Sequence, residues 1–165
     1  MIQKKICMVG DFSVGKTSLV SRFVRQTFSD KYMTTVGVKI DSKMVNLLDG
    51  QEVKLILWDI AGNDSLTTTT QSYLRGAAGY LLISDSTRLP TWYSAIDLHH
   101  AVQQTVGEKP CILLLNKLDL RQQLEITKPL VIEQRRQGLT VLASSAKTGQ
   151  GVEQAFKLLS QKMLT

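Results

Sequence analysis

The sequence is short of every feature that would mark a membrane-spanning, disulfide-framed or disordered chain. No apolar run approaches the roughly 18 residues that a membrane-spanning helix needs; the longest relevant stretch, residues 76–84, has nine. The opening residues, MIQKKICMVGD, contain no apolar segment long enough for a secretory signal. Only two cysteines occur, Cys7 and Cys111, both inside apolar runs. They read as two buried thiols in a reducing compartment rather than as a disulfide framework. Proline is scarce at three residues, and there is no linker, internal repeat or low-complexity tract, so residues 1–165 are expected to form one domain. Cations outnumber anions 20 to 14, a net charge of +6, but no block of five like charges occurs and no aromatics interleave with them. That distribution argues against nucleic-acid binding and reads as solvated surface with some preference for an acidic partner or lipid. What is present is a globular composition, 43% hydrophobic and 21% charged. A chain of this length buries roughly two-thirds of its unfolded surface without a metal or disulfide staple. The expectation is a soluble, cytoplasmic protein.

Strand-like and helix-like segments alternate. Residues 2–9 form a short apolar run ending at Gly10, suited to a buried strand. Residues 16–26 place Leu19, Val20, Phe23 and Val24 on one helical face. Residues 38–47 and 52–58 flank Leu48-Asp49-Gly50-Gln51, and Asp-Gly between two β-patterned runs signals a hairpin with positive φ at both turn residues. Strands are then expected at 80–84, 111–115 and 139–143, and helices at 91–106, from Thr127 to before Gly138, and at 152–163. Thr67–Thr70 favour neither helix nor strand, so that stretch is expected to be mobile. Continuous apolar strands separated by helices indicate a mostly parallel sheet covered on both faces, with the hairpin adding one antiparallel edge strand. In such a sheet ligands bind at the carboxyl ends of the strands, so the loops there are the place to look for chemistry.

The first such loop is Gly10-Asp11-Phe12-Ser13-Val14-Gly15-Lys16-Thr17, a complete G-x-x-x-x-G-K-T followed by Ser18. Glycines let successive backbone N–H groups, from Ser13 and Val14 through Gly15 to Ser18, turn inward on phosphate oxygens, and the helix starting at Lys16 adds its N-terminal dipole. Lys16 supplies a mobile cation to the terminal phosphates, and the Thr17 hydroxyl can ligate Mg²⁺. The pattern would arise by chance in roughly one chain of this length in a few hundred, and its place between strand and helix lowers that further.

After the strand at 111–115 comes Asn116-Lys117-Leu118-Asp119. A carboxylate at Asp119 can accept two hydrogen bonds, from guanine N1–H and the exocyclic amine. Adenine lacks that pair, and an unpaired buried acceptor costs about 1–3 kcal/mol. The Asn116 amide can reach guanine N7 or the phosphate loop, and the Lys117 stem can lie along the base. In Ser144-Ser145-Ala146-Lys147 a backbone N–H can meet guanine O6, and Phe28 is placed to pack on the base. The run ending at Trp58 leads into Asp59-Ile60-Ala61-Gly62. Asp59 suits Mg²⁺ through a water, and the Gly62 N–H suits the γ-phosphate. Within Tyr32-Met33-Thr34-Thr35-Val36-Gly37, Thr35 can give its hydroxyl to Mg²⁺ and its N–H to the γ-phosphate, with Tyr32 beside the nucleotide. Both loops would be held by the third phosphate and released when it leaves.

These five stretches, in this order along the whole chain, resemble the Ras superfamily of small GTPases. Thr35-Val36-Gly37-Val38, Trp58-Asp59-Ile60-Ala61-Gly62 and Gln71-Ser72-Tyr73-Leu74-Arg75-Gly76-Ala77 resemble the Rab branch. The resemblance implies a six-stranded α/β P-loop fold with five helices. It also implies a monomeric GTP/GDP switch using Mg²⁺, and effector, exchange-factor and activating proteins that bind two mobile loops at about 28–40 and 60–76. Rab effectors commonly use an aromatic triad; Trp58 and Tyr73 match it, and Ile40 stands where a Phe is expected.

Two departures fall at the hydrolytic centre. The family orients its attacking water with a Gln after D-x-A-G; here Asn63 follows, with the amide one methylene shorter. Misplacement by about 1 Å can cost 10²-fold, so slow hydrolysis is expected. Phe12 occupies a phosphate-loop position where the family has a small residue; its ring either obstructs the catalytic centre or turns outward. A non-cycling GTP-binding scaffold is the alternative reading. A metabolite kinase fits less well, having no arginine-rich lid here and no use for N-K-L-D. The chain has no Cys after position 111, whereas Rab proteins end in prenylated cysteines; either a tail has been removed or the protein works without a lipid, and membrane association is expected only through such a tail.

Overall fold

The computed structural model describes the chain apart from residues 30–34, 36, 63 and 64. Six strands form one sheet in the order β2-β3-β1-β4-β5-β6. They are β1 Ile2–Gly10, β2 Val38–Asn46, β3 Glu52–Ile60, β4 Gly79–Asp85, β5 Cys111–Asn116 and β6 Val141–Ala143. Every pairing is parallel except that of edge strand β2 with β3. The five helices are α1 Lys16–Arg25, α2 Thr68–Leu74, α3 Leu89–Val106, α4 Lys128–Arg136 and α5 Val152–Leu164, with a 3-10 turn at Arg121–Gln123. This is the expected mostly parallel α/β architecture with one antiparallel edge.

The two-residue period of the strands divides the core into layers. Ile6, Met8, Leu81, Ile83, Ile112 and Leu114 pack with Leu19, Val20 and Phe23 of α1 and with Ala155, Phe156 and Leu159 of α5. The alternate residues Cys7, Val9, Tyr80, Leu82 and Leu113 pack with Leu74 of α2 and with Trp92, Ala95, Leu98 and Val102 of α3. Strands buried on both faces need apolar residues at every position, which is why they read as unbroken runs. Among the described residues no helix is long and apolar enough to cross a membrane.

Several local expectations are corrected. The hairpin turn is not a pair of positive-φ residues. Gly50 N–H bonds Leu47 C=O and Gly50 alone takes φ 84°, while Asp49 stays at negative φ and its carboxylate accepts from Gln51 N–H. This is a turn followed by a glycine bulge, which also joins antiparallel strands. The threonine-rich stretch forms α2, because the Thr67 hydroxyl accepts from the Thr70 N–H and caps it. Thr127 stands at the start of α4 but its side chain makes no capping bond. The last strand begins at Val141 rather than 139, since the Gly138 and Leu139 N–H groups close the end of α4 onto Arg135 and Gln134 carbonyls. Trp92 anchors α3 at 1% exposure, and Tyr93 beside it is 52% exposed. His99 is half-buried, with its Nδ1 2.9 Å from the Tyr80 hydroxyl.

Candidate nucleotide site

At the carboxyl end of β1 the chain turns back into α1. Gly15 at the start of that helix has φ 104°, and a Cβ there would collide with the Asn116 amide, so both the backbone and the neighbour demand glycine. Lys16 is 6% exposed and its ammonium donates to Gly10 C=O at 3.1 Å and Asp11 C=O at 2.9 Å. Burial pulls its pKa down to about 8 against the opposing pull of Asp59 and Asp11. A cation so placed is pre-aimed and poorly hydrated, which strengthens its interaction with an arriving anion.

The loop after β1 and the loop after β5 are two strand spacings apart, roughly 10 Å, and a cavity of about 320 Å³ joins them. Its walls include Ser13, Gly15, Lys16, Thr17, Ser18, Phe28, Thr35, Gly62, Asn116, Lys117, Asp119, Ala146 and Lys147. Thus thirteen of the residues expected to touch the ligand meet in one place although they come from five separate stretches of chain. Phe28 is 36% exposed on the cavity wall, where a ring can stack on a base. At the far end the Ser145 hydroxyl donates to Asp119 Oδ1 at 2.7 Å and so orients that carboxylate.

Some of the predicted contacts are held by their neighbours in the fold. The Val14 side chain is fully buried in the core; its exposed contribution is backbone, and its carbonyl accepts from the Asn116 amide at 3.0 Å. Asn116 therefore ties the two loops together, while its Oδ1 accepts from the Ser144 hydroxyl and Ala146 N–H. Ser145 is also fully buried and its N–H goes to Gln150 C=O. It supports Asp119 and is not among the residues lining the cavity, which from this loop are Ala146 and Lys147. Lys117, in left-handed backbone at φ 66°, donates to Ser13 C=O at 2.8 Å. Tyr32 and Asn63 lie outside the described residues.

A cluster of hard oxygens sits beside Lys16. The Thr17 hydroxyl lies 2.6 Å from Asp59 Oδ2 and 2.6 Å from the Thr35 hydroxyl, and Thr35 donates to Asp59 Oδ2 at 3.4 Å. Asp59 is 1% exposed, and its Oδ1 has no hydrogen-bond partner among the described residues. Burial raises its pKa above the ordinary carboxylate value, with the Thr17 hydroxyl and Lys16 acting in the opposite direction. A buried carboxylate with a spare oxygen, flanked by two hydroxyls, is a donor set that fits Mg²⁺.

Phe12 stands at the rim of the cavity with 54% of its surface exposed. Its backbone is packed against Gly62, where a Cβ would approach Phe12 Cα to 2.8 Å. The glycine after Asp59 is thus required by close approach. On the sheet face beyond, Ile40 lies opposite Trp58 in the β2–β3 register and is 52% exposed. The Trp58 and Tyr73 rings are 6.3 Å apart, and the Lys5 ammonium sits 3.5 Å over the Trp58 ring. The three residues expected to face effectors therefore share one accessible surface.

Sequence reading missed the struts. Arg22 on α1 donates to Ala146 C=O at 2.7 Å and to Lys147 C=O. Ser29 and Leu120 also line the cavity. Asp85 and Arg88, described below, carry no motif. Arg22 reaches Ala146, Arg88 reaches Phe12 and Lys117 reaches Asp85 across long stretches of sequence, so no spacing rule could have found these ties. Compared with known protein families, the chain matches the Ras family over residues 5–165. With that match and this site, the chain belongs to the Ras family of small GTPases, guanine-nucleotide-binding molecular switches.

Proposed function

We propose that this chain is a Rab-like, Mg²⁺-dependent GTP/GDP switch that hydrolyses GTP slowly, with residues 1–165 acting as one nucleotide-binding unit in the cytoplasm or at a membrane surface. The observation that carries the reading is the pairing, in one cavity, of an oriented carboxylate at Asp119 with the dehydrated ammonium of Lys16. The first suits the paired donors of guanine and the second suits a polyphosphate. Mg²⁺ would be held by Thr17, Thr35 and Asp59 and supplies positive charge to the phosphates.

In hydrolysis, water attacks the γ-phosphorus. A new P–O bond forms, the bond to the bridging oxygen breaks with its electron pair leaving on GDP, and the water's protons pass to the phosphate product and solvent. Lys16 and the inward N–H groups of the phosphate loop hold the developing charge, since phosphoryl transfer is catalysed by positioning and electrostatics. Thr35 and Gly62 bracket the γ-phosphate from two loops, which lets its loss free both. Asn63 orients the attacking water from too short a side chain, and Phe12 crowds the same approach. Ile40, Trp58 and Tyr73 receive effectors when those loops are held.

Calorimetry with GDP, GTP and ATP tests the first part: submicromolar guanine nucleotide and no ATP is expected, and equal uptake of ATP would refute it. The second reading, a scaffold that keeps GTP without cycling, is favoured by Phe12 and Asn63 together. Single-turnover phosphate release, with and without cell extract, separates the two; no turnover under either condition selects the scaffold.

A further inference from the structure

Asp85 ends β4 at 2% exposure and is surrounded by donors. Its Oδ1 accepts from Thr87 N–H at 2.9 Å and the Thr87 hydroxyl at 2.6 Å. Its Oδ2 accepts from Arg88 Nε at 3.0 Å and Lys117 Nζ at 2.9 Å. The two cations that share this one oxygen then reach consecutive carbonyls of the phosphate loop. Arg88 Nη2 donates to Phe12 C=O at 2.7 Å and Lys117 Nζ donates to Ser13 C=O at 2.8 Å. The loop they grip is not relaxed. Ser13 has φ 61°, a left-handed conformation that residues with a Cβ adopt only at a cost.

We propose that Arg88 is a positioning residue for nucleotide retention, holding the Phe12–Ser13 peptide so that its N–H faces the phosphates. Three physical points carry this. A peptide whose carbonyl is pinned outward must present its N–H on the opposite side. A carbonyl that accepts from a cation makes the N–H of the same peptide a stronger donor. The guanidinium fork suits the task, since one edge can stay on Asp85 while another grips the carbonyl. Burial alone would raise the pKa of Asp85, yet the bonds from Thr87, Lys117 and Arg88 hold it below the ordinary value, so the anchor stays ionised. Phe12 is the residue where this chain carries bulk in place of a small side chain, and Arg88 grips that residue's backbone. Asp11 adds a second tether, to α3 just beyond Arg88, its Oδ2 accepting from the Ser94 hydroxyl at 3.1 Å.

The inference rests on the guanine-nucleotide reading above, and the test keeps the two apart. Fluorescent GDP is loaded on wild type and R88A, its dissociation rate is followed after adding excess GDP, and guanosine affinity is measured by competition. Removing one charge-assisted bond is expected to speed GDP dissociation about tenfold while leaving guanosine affinity and the melting temperature of the nucleotide-free protein unchanged. An unchanged dissociation rate overturns the proposal, and so does an equal loss for guanosine and GDP, which would make Arg88 a general stabiliser. A wild type that retains no guanine nucleotide would overturn the functional reading along with it.

Discussion

Lys16 is the residue whose environment makes the sharpest solution prediction. Its pKa falls to about 8 in the free protein, and bound phosphates would raise it again. Between those values the complex holds a proton that the free protein lacks, so binding takes up a proton above about pH 8. GDP affinity should fall as pH climbs through that window. Calorimetry at pH 8.5 in two buffers of different ionisation enthalpy should reveal uptake for GDP and none for guanosine, which has no phosphates; equal behaviour would place Lys16 away from them. Ser145 makes a second case. Its hydroxyl fixes Asp119, so S145A is expected to weaken GDP about tenfold and narrow the preference over ATP in competition binding. Asn63 makes a third. N63Q, alone or with F12G, should raise the single-turnover GTP hydrolysis rate, and no increase in either would remove side-chain reach as the cause of slow turnover. At this scale the sequence was legible wherever a motif states the chemistry, as in Lys16, Thr17 and Asp119. Ser145 was read as a contact, yet its N–H goes to Gln150 and its hydroxyl to Asp119, because a motif says which residue is present and not which way its groups turn.

The elements that carry these residues draw their strength from packing. Phe23 of α1 and Phe156 of α5 stack with ring centroids 3.9 Å apart at an interplanar angle of 4°, and both are at most 2% exposed. F156A removes that contact from the layer directly under the phosphate loop's helix and should cost about 3–5 kcal/mol in a urea unfolding titration. A loss under about 1 kcal/mol would mean the layer repacks. The buried strands were readable because two-sided burial leaves no room for polar residues. Helix α2 was not. Thr68–Thr70 weigh equally on either side, and the decision came from one hydroxyl, Thr67, capping the Thr70 N–H. The Asp49-Gly50 turn was seen as a turn but given the wrong geometry, since the same dipeptide also serves a glycine bulge.

Across the whole molecule the functional loops gather at one rim of the sheet, where parallel strands end, and they are bonded to one another. Asn116 joins the β5 loop to the phosphate loop, Arg22 joins α1 to the loop after β6, and Asp85 joins both cations to β4. Apart from the Arg88–Asp85 pair, three residues apart, these ties join residues distant in sequence, so the family could be recognised from motifs while the bracing between them could not. The hairpin between β2 and β3 lies at the other rim, where β3 begins. Leu48 there is 97% exposed, and a methyl group on Gly50 would meet nothing within 4 Å. That tip is a natural handle for engineering: a short epitope spliced between Leu48 and Asp49 should leave GDP affinity within about twofold, as for surface changes remote from packed groups, and would let the protein be tethered to a sensor chip or bead with its opposite end open to visitors.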